Sequence, residues 1–167
     1  MTLHRLRSWL SKDPTRVVID STIIDRIIET AGLIQRIQRA SANGTLTIVE
    51  THLLRDQLSQ TPGAARRTLL LRVYDALPMV AVPTSGFVLD VSRFDDAEFS
   101  EESVDLEGLA TRGRGRMQDA LLASTASGKA DVIVTEDGDL RKKVEAKKLQ
   151  CKVWSFADFS RFGEKRT

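Results

Sequence analysis

The apolar positions fall into short β-branched runs separated by longer stretches of helical spacing. Val17-Val18-Ile19, Thr45-Leu46-Thr47-Ile48-Val49, Met79-Val80-Ala81-Val82-Pro83, Val132-Ile133-Val134 and Lys152-Val153-Trp154 have the length and residue types of strands. The first and fourth are continuous rather than alternating, as strands covered on both faces are. Between them, Ile23, Ile24, Ile27, Ile28, Ala31, Ile34 and Ile37 keep three-and-four spacing and predict one helix, stopped at Asn43-Gly44. His52 to Leu58 predicts a second helix. Pro62-Gly63 restarts the chain into a third, Ala64 to Leu77, with Leu69, Leu70, Val73 and Ala76 facing inward. A fourth opens at Asp119, where Ala120, Leu121, Leu122, Ala123 and Ala126 leave little polar face, so burial is expected. A fifth runs through Leu140, Val144, Ala146 and Leu149, and a last one, capped by Ser155, through Phe156, Phe159 and Phe162.

Strands that alternate with helices predict an α/β fold, a mostly parallel sheet between helical layers, over residues 16–162. Leu3, Leu6, Trp9 and Leu10 predict a helical extension over 1–15, docked on the body or on a second subunit; 163–167 read as a frayed tail. Residues 84–116 are the least patterned. Phe87 to Val91 reads as a strand or extended segment, and 95–107 as an acidic, solvated surface.

Composition narrows the class. With 167 residues, 41% apolar and 29% charged, one ordered domain is expected. A net charge of +2 from 25 basic and 23 acidic residues means that affinity for nucleic acid must come from charge distribution. The single cysteine, Cys151, excludes an internal disulfide and fits a reducing compartment. No apolar run reaches membrane-spanning length and no signal peptide is visible, so a cytoplasmic protein without a membrane partner is expected.

The chemistry lies in the acids. Asp20, Glu50 and Asp137 each follow a strand, and Asp119 heads a helix that feeds one. In a parallel sheet such positions gather at one edge, near the switch in strand order. Taken singly, Asp20 and Asp119 also read as helix-start acids, Asp137 as a turn residue, and Asp131 as a turn or cap. Crowded carboxylates either protonate or need a cation. Oxygen donors without a His or Cys cluster favour Mg²⁺ or Mn²⁺ over Zn²⁺, and such a site suits phosphodiester hydrolysis. The chain has no Gly-x-Gly-x-x-Gly after its first strand, no Gly-Lys-Ser/Thr loop and no Gly-x-Ser-x-Gly elbow. Arg112, Arg114 and Arg116, spaced by glycines, read as a mobile basic loop able to contact phosphate, with Lys129 or Arg141 as further candidates.

Val-Val-Ile-Asp20-Ser-Thr, Ile-Val-Glu50, Asp119-Ala-Leu-Leu-Ala-Ser-Thr-Ala and Ala-Asp-Val-Ile-Val-Thr135-Glu-Asp137-Gly-Asp139-Leu together resemble the PIN-domain ribonucleases, including the toxins of VapBC toxin–antitoxin pairs. The resemblance covers roughly Val17 to Phe159 and rests chiefly on the last two motifs. It implies a PIN-like three-layer sandwich, an acidic quartet at Asp20, Glu50, Asp119 and Asp137, a further acid at Asp139, a supporting hydroxyl at Thr135, and Mg²⁺- or Mn²⁺-dependent cleavage of RNA. It also implies homodimers and, for a toxin, an antitoxin partner. Glu136 stands where asparagine is frequent in the family and Leu140 where phenylalanine is common; 84–116 is longer than in compact toxins. Two other readings stand beside this one, a PIN-fold RNA-binding or protein-interaction module with little catalysis, and a DNA nuclease.

Overall fold

The five β-branched runs pair into one sheet in which every neighbouring pair is parallel. The computed structural model describes residues 13–85, 97–98 and 114–162, with backbone alone at 97–98 and 114–116. Its strands are β1 (Thr15–Ile19), β2 (Leu46–Glu50), β3 (Met79–Ala81), β4 (Thr84–Ser85), β5 (Ala97–Glu98), β6 (Val132–Val134) and β7 (Lys152–Trp154). The sheet order is β3-β2-β1-β6-β7, and β4 pairs separately with β5. The helices are α1 (Ser21–Glu29), α2 (Leu33–Ala42), α3 (His52–Ser59), α4 (Ala64–Ala76), α5 (Arg114–Lys129), α6 (Gly138–Ala146) and α7 (Phe156–Phe162).

Alternation along the strands builds two cores. Val17, Ile19, Ile48, Val132 and Val134 face α1 to α4 and α7, meeting Ile23, Ile27, Ile37, Leu54, Leu70 and Phe159. Val18, Val49 and Ile133 face α5 and α6, meeting Leu122, Ala123, Ala126, Leu140 and Val144. This is the expected three-layer α/β arrangement, and double coverage is why the Val-Val-Ile and Val-Ile-Val runs carry no polar alternation. No helix among the described residues is long and apolar enough to cross a membrane.

Some expectations change. The single helix expected up to Asn43 is two, α1 and α2. Gly32 between them has φ +75, a left-handed conformation that breaks the helix although the apolar spacing runs on across it. On α4, Leu70, Val73 and Tyr74 are buried, whereas Leu69 is 47% exposed and Ala76 is exposed; the inward face is set one position on from the one expected. The helix expected to open at Asp119 begins at Arg114. Arg114 and Arg116 therefore belong to the start of α5 and not to a loop, in keeping with the high helix propensity of arginine.

The burial expected of α5 holds from Ala120 to Ala126, but it includes two hydroxyls. Ser124 Oγ donates to the Ser85 carbonyl at 3.0 Å, and Thr125 Oγ1 accepts from Ser85 N at 3.0 Å while donating to the Leu121 carbonyl at 2.8 Å. These bonds fasten β4 to α5. At the other end of the chain, Ser155 Oγ and Asp158 bond reciprocally to one another's backbone N–H, the expected cap of the closing helix. Arg112, Asp90, the Phe87–Val91 segment, residues 1–12 and 163–167 lie outside the described residues; within 95–107 only β5 is described.

Candidate functional site

Strand order reverses between β1 and β6, and the carboxyl ends of these two strands frame a crevice of the kind in which open parallel sheets bind ligands. Asp20 follows β1 there and is 8% exposed. Its Oδ1 accepts from Thr22 N at 2.9 Å and Ser21 Oγ at 3.3 Å, and its Oδ2 from Thr135 Oγ1 at 2.7 Å and Thr22 Oγ1 at 3.2 Å. Asp20 thus caps α1 with one oxygen and reaches across the crevice with the other.

Thr135 follows β6 and is fully buried. Its hydroxyl donates to Asp20 and accepts from Asp137 N at 3.0 Å, so it joins the two strand ends. Asp137 caps α6, its Oδ1 accepting from Asp139 N at 2.7 Å and Leu140 N at 3.1 Å. Arg141 donates to the Thr135 carbonyl at 3.3 Å. Asp139 is exposed on the first turn of α6.

Asp119 enters from the layer above, half-buried in the second turn of α5. Burial, followed by the negative charges of Asp20 and Asp137, pushes its carboxyl up to about 6; Lys143 on α6 pulls it the other way. Three acids from three separate stretches of chain therefore share one electrostatic neighbourhood. Glu50 is turned elsewhere. Strand alternation puts Val49 against α5 and α6, so Glu50 points to the opposite layer, where it accepts the Tyr74 hydroxyl of α4. Burial and then Glu50 hold that hydroxyl well above the usual phenol range. Arg55 lies over the Tyr74 ring, 5.3 Å from its centroid, and pairs with Asp75 at 3.0 Å.

Two further acids have structural partners. Asp131 accepts from Arg16 N of β1 at 2.8 Å and donates its own N–H to the Arg16 carbonyl, so it extends the β1–β6 pairing where a turn or cap is expected; Glu136 accepts from Phe156 N at 2.7 Å, holding the first turn of α7. Sequence reasoning missed Tyr74, Gln118 and Lys143. Tyr74 shares the buried face of α4 with Leu70 and Val73, a register visible once that face is set. Gln118, beside Asp119 and itself buried, meets Gln57 of α3 at 3.5 Å.

Among the described residues, no three His, Cys, Asp or Glu side chains stand close enough together to enclose a metal ion. The Asp20–Asp119–Asp137 group nevertheless offers oxygen donors alone, and its charges repel. That chemistry fits Mg²⁺, which takes one or two carboxylates directly and keeps most of its water, better than Zn²⁺ in a closed cage. The chain matches no protein-family model, and a search of curated proteins found no significant match.

Proposed function

We propose that the protein is a PIN-like, Mg²⁺- or Mn²⁺-dependent endoribonuclease that works at the crevice between β1 and β6. The observation that carries this reading is the meeting of three acids at that crevice: Thr135 joins the Asp20 and Asp137 strand ends, and burial, then the charges of Asp20 and Asp137, raise the Asp119 carboxyl. A half-buried Asp119 whose ionisation two neighbouring carboxylates oppose is suited to receiving a cation or a proton.

Asp20, Asp119 and Asp137 would hold the ion, directly or through water, with Asp139 beside them. When bound, the ion supplies activation of water and charge neutralisation at the leaving oxygen. The chain supplies the rest. Thr135, Ser21 and Thr22 keep the Asp20 carboxylate in one orientation. Asp137 is fixed by the α6 backbone, and Asp119 is the acid whose charge a cation most relieves. Glu50, bonded to Tyr74, shapes the neighbouring strand end. Arg112, Arg114 and Arg116 are proposed phosphate contacts at and before the start of α5. Action as a toxin would add an antitoxin partner to this reading.

One observation favours a second reading. Asp20 and Asp137 both serve as helix N-caps, so each has a structural reason to be present without catalysis. A PIN-fold RNA-binding or protein-interaction module would retain them for that reason. The test is cleavage of a mixed RNA pool, with matched DNA, in Mn²⁺, Mg²⁺ or EDTA, by wild type and Asp119→Asn. Metal-dependent RNA cleavage lost in the variant is expected. RNA binding without cleavage in either metal would favour the module, and equal cutting of DNA a nuclease of broader substrate.

A further inference from the structure

A cavity of about 350 Å³ opens between α1, α3 and α4, within the range of small-ligand sites. Two of its lining residues, Ser21 and Thr22, are the same ones that hold Asp20, so the cavity and the acidic crevice share a wall. A third, Gln57, reaches Gln118, the neighbour of Asp119. The cavity therefore adjoins Asp20 directly and reaches the helix that carries Asp119 through the Gln57–Gln118 contact.

Its lining suits a planar, polar-edged ring. Leu70 and Pro62 give apolar surface, and Gln57 and Thr61 give hydrogen-bonding groups. Arg66, an exposed lining residue, pairs with Asp25 at 3.0 Å, so its guanidinium stays at the cavity. A guanidinium plane is a stacking surface for a nucleobase. The Gln57 amide carries a donor and an acceptor side by side, the complement of a base edge, and adenine is the base such an amide pairs with best. Its contact with Gln118, at 3.5 Å, is long and easily exchanged for a ligand.

We propose that this cavity seats the base of the nucleotide next to the phosphate at the acidic crevice, with Gln57 reading its edge and Arg66 stacking on its face. The assignment rests on the nuclease reading, and its test is built to fail separately. Isotope-labelled full-length protein in metal-free buffer is titrated with each of AMP, GMP, CMP and UMP, and binding is followed by amide chemical shifts. Expected are saturable shifts at Gln57, Thr61 and Arg66 and a preference for AMP of about tenfold, the scale of one bidentate base contact. Gln57→Leu should abolish the preference, and Arg66→Ala should weaken all four nucleotides alike. Thermal unfolding of both variants, and of Thr61→Val as a smaller change, checks that the fold is kept.

Absence of saturable shifts, shifts confined to other surfaces, or a base preference unmoved by Gln57→Leu would overturn the assignment. Metal-dependent RNA cleavage whose cut sites are the same in wild type and Gln57→Leu overturns the cavity assignment and leaves the nuclease reading standing. Base binding at the cavity without cleavage of any RNA overturns the nuclease reading and leaves a nucleotide site.

Discussion

Asp119 carries a charge that the fold disfavours. Its carboxyl sits at about 6 against an ordinary 3.8, so the native state binds its proton more tightly than the unfolded chain does. A raised carboxylate costs nothing below the unfolded value. The cost grows as pH rises from about 4 to about 6 and is complete above that. Unscreened, such a shift corresponds to about 3 kcal/mol; with Asp119 only half-buried, solvent screening reduces this to about 1 kcal/mol. In metal-free buffer at neutral pH, Asp119→Asn should therefore unfold about 2–4 °C higher than wild type. Its melting temperature should also lack the decline between pH 4 and 6, and a variant less stable than wild type throughout would contradict the crowding. Thr135→Val works in the opposite direction. It removes a 2.7 Å bond to a buried carboxylate and should cost about 1–3 kcal/mol in denaturant unfolding, with Thr135→Ser restoring most of it. Asp20, Asp119 and Asp137 are legible as site candidates because each follows a recognisable strand or heads an apolar helix, whereas Thr135 enters only through the family resemblance. The pairing of Glu50 with Tyr74 is not legible. It depends on which way one side chain at a strand end alternates, and on a helix register that exposes Leu69 and buries Tyr74.

At the level of elements, strands were easier to read than helix ends. Val17-Val18-Ile19 and Val132-Ile133-Val134 are β-branched runs between breakers, and few other structures suit them. The gap between α1 and α2 was hidden because Ile27, Ala31 and Ile34 continue the helical spacing past Gly32, whose φ no pattern of apolar residues reveals. Nothing lies within 4 Å of a Cβ placed at Gly32, so Gly32→Ala meets only backbone strain. It should destabilise by about 1 kcal/mol in chemical denaturation, and a neutral result would mean that α1 and α2 can merge. The start of α5 was misread because glycines among arginines resemble a loop, although an apolar helix behind them can draw such residues into its first turn. Ser155→Ala tests an element that was read correctly. Loss of the two bonds between the Ser155 hydroxyl and Asp158, with the backbone N–H of residue 155 still donating to the Asp158 carboxylate, should cost about 1 kcal/mol, again by denaturant unfolding.

The whole molecule is arranged around the reversal of strand order at β1 and β6. A cation bound there would be coupled to the entire fold, since Asp20, Asp119 and Asp137 come together only in the native state. Mg²⁺ at about a hundredfold excess over its Kd should add about 2.7 kcal/mol, a rise of several degrees in melting temperature, and less in Asp119→Asn. A rise of the same size in wild type and variant would place the ion elsewhere. The fold class followed from alternating strands and helices, but the order β3-β2-β1-β6-β7 did not, because local spacing does not say which strands become neighbours. That order has a bearing on how the chain is made. Strands β1, β2 and β3 are contiguous in sequence, whereas the Thr135 hydroxyl that clasps Asp20 belongs to a residue 115 positions downstream. Non-local parallel pairing is slow, and synthesis delivers the N-terminal half first. A nascent chain can thus form one half of its sheet on the ribosome with Asp20 already capping α1, yet it possesses no crevice until β6 emerges and docks against β1.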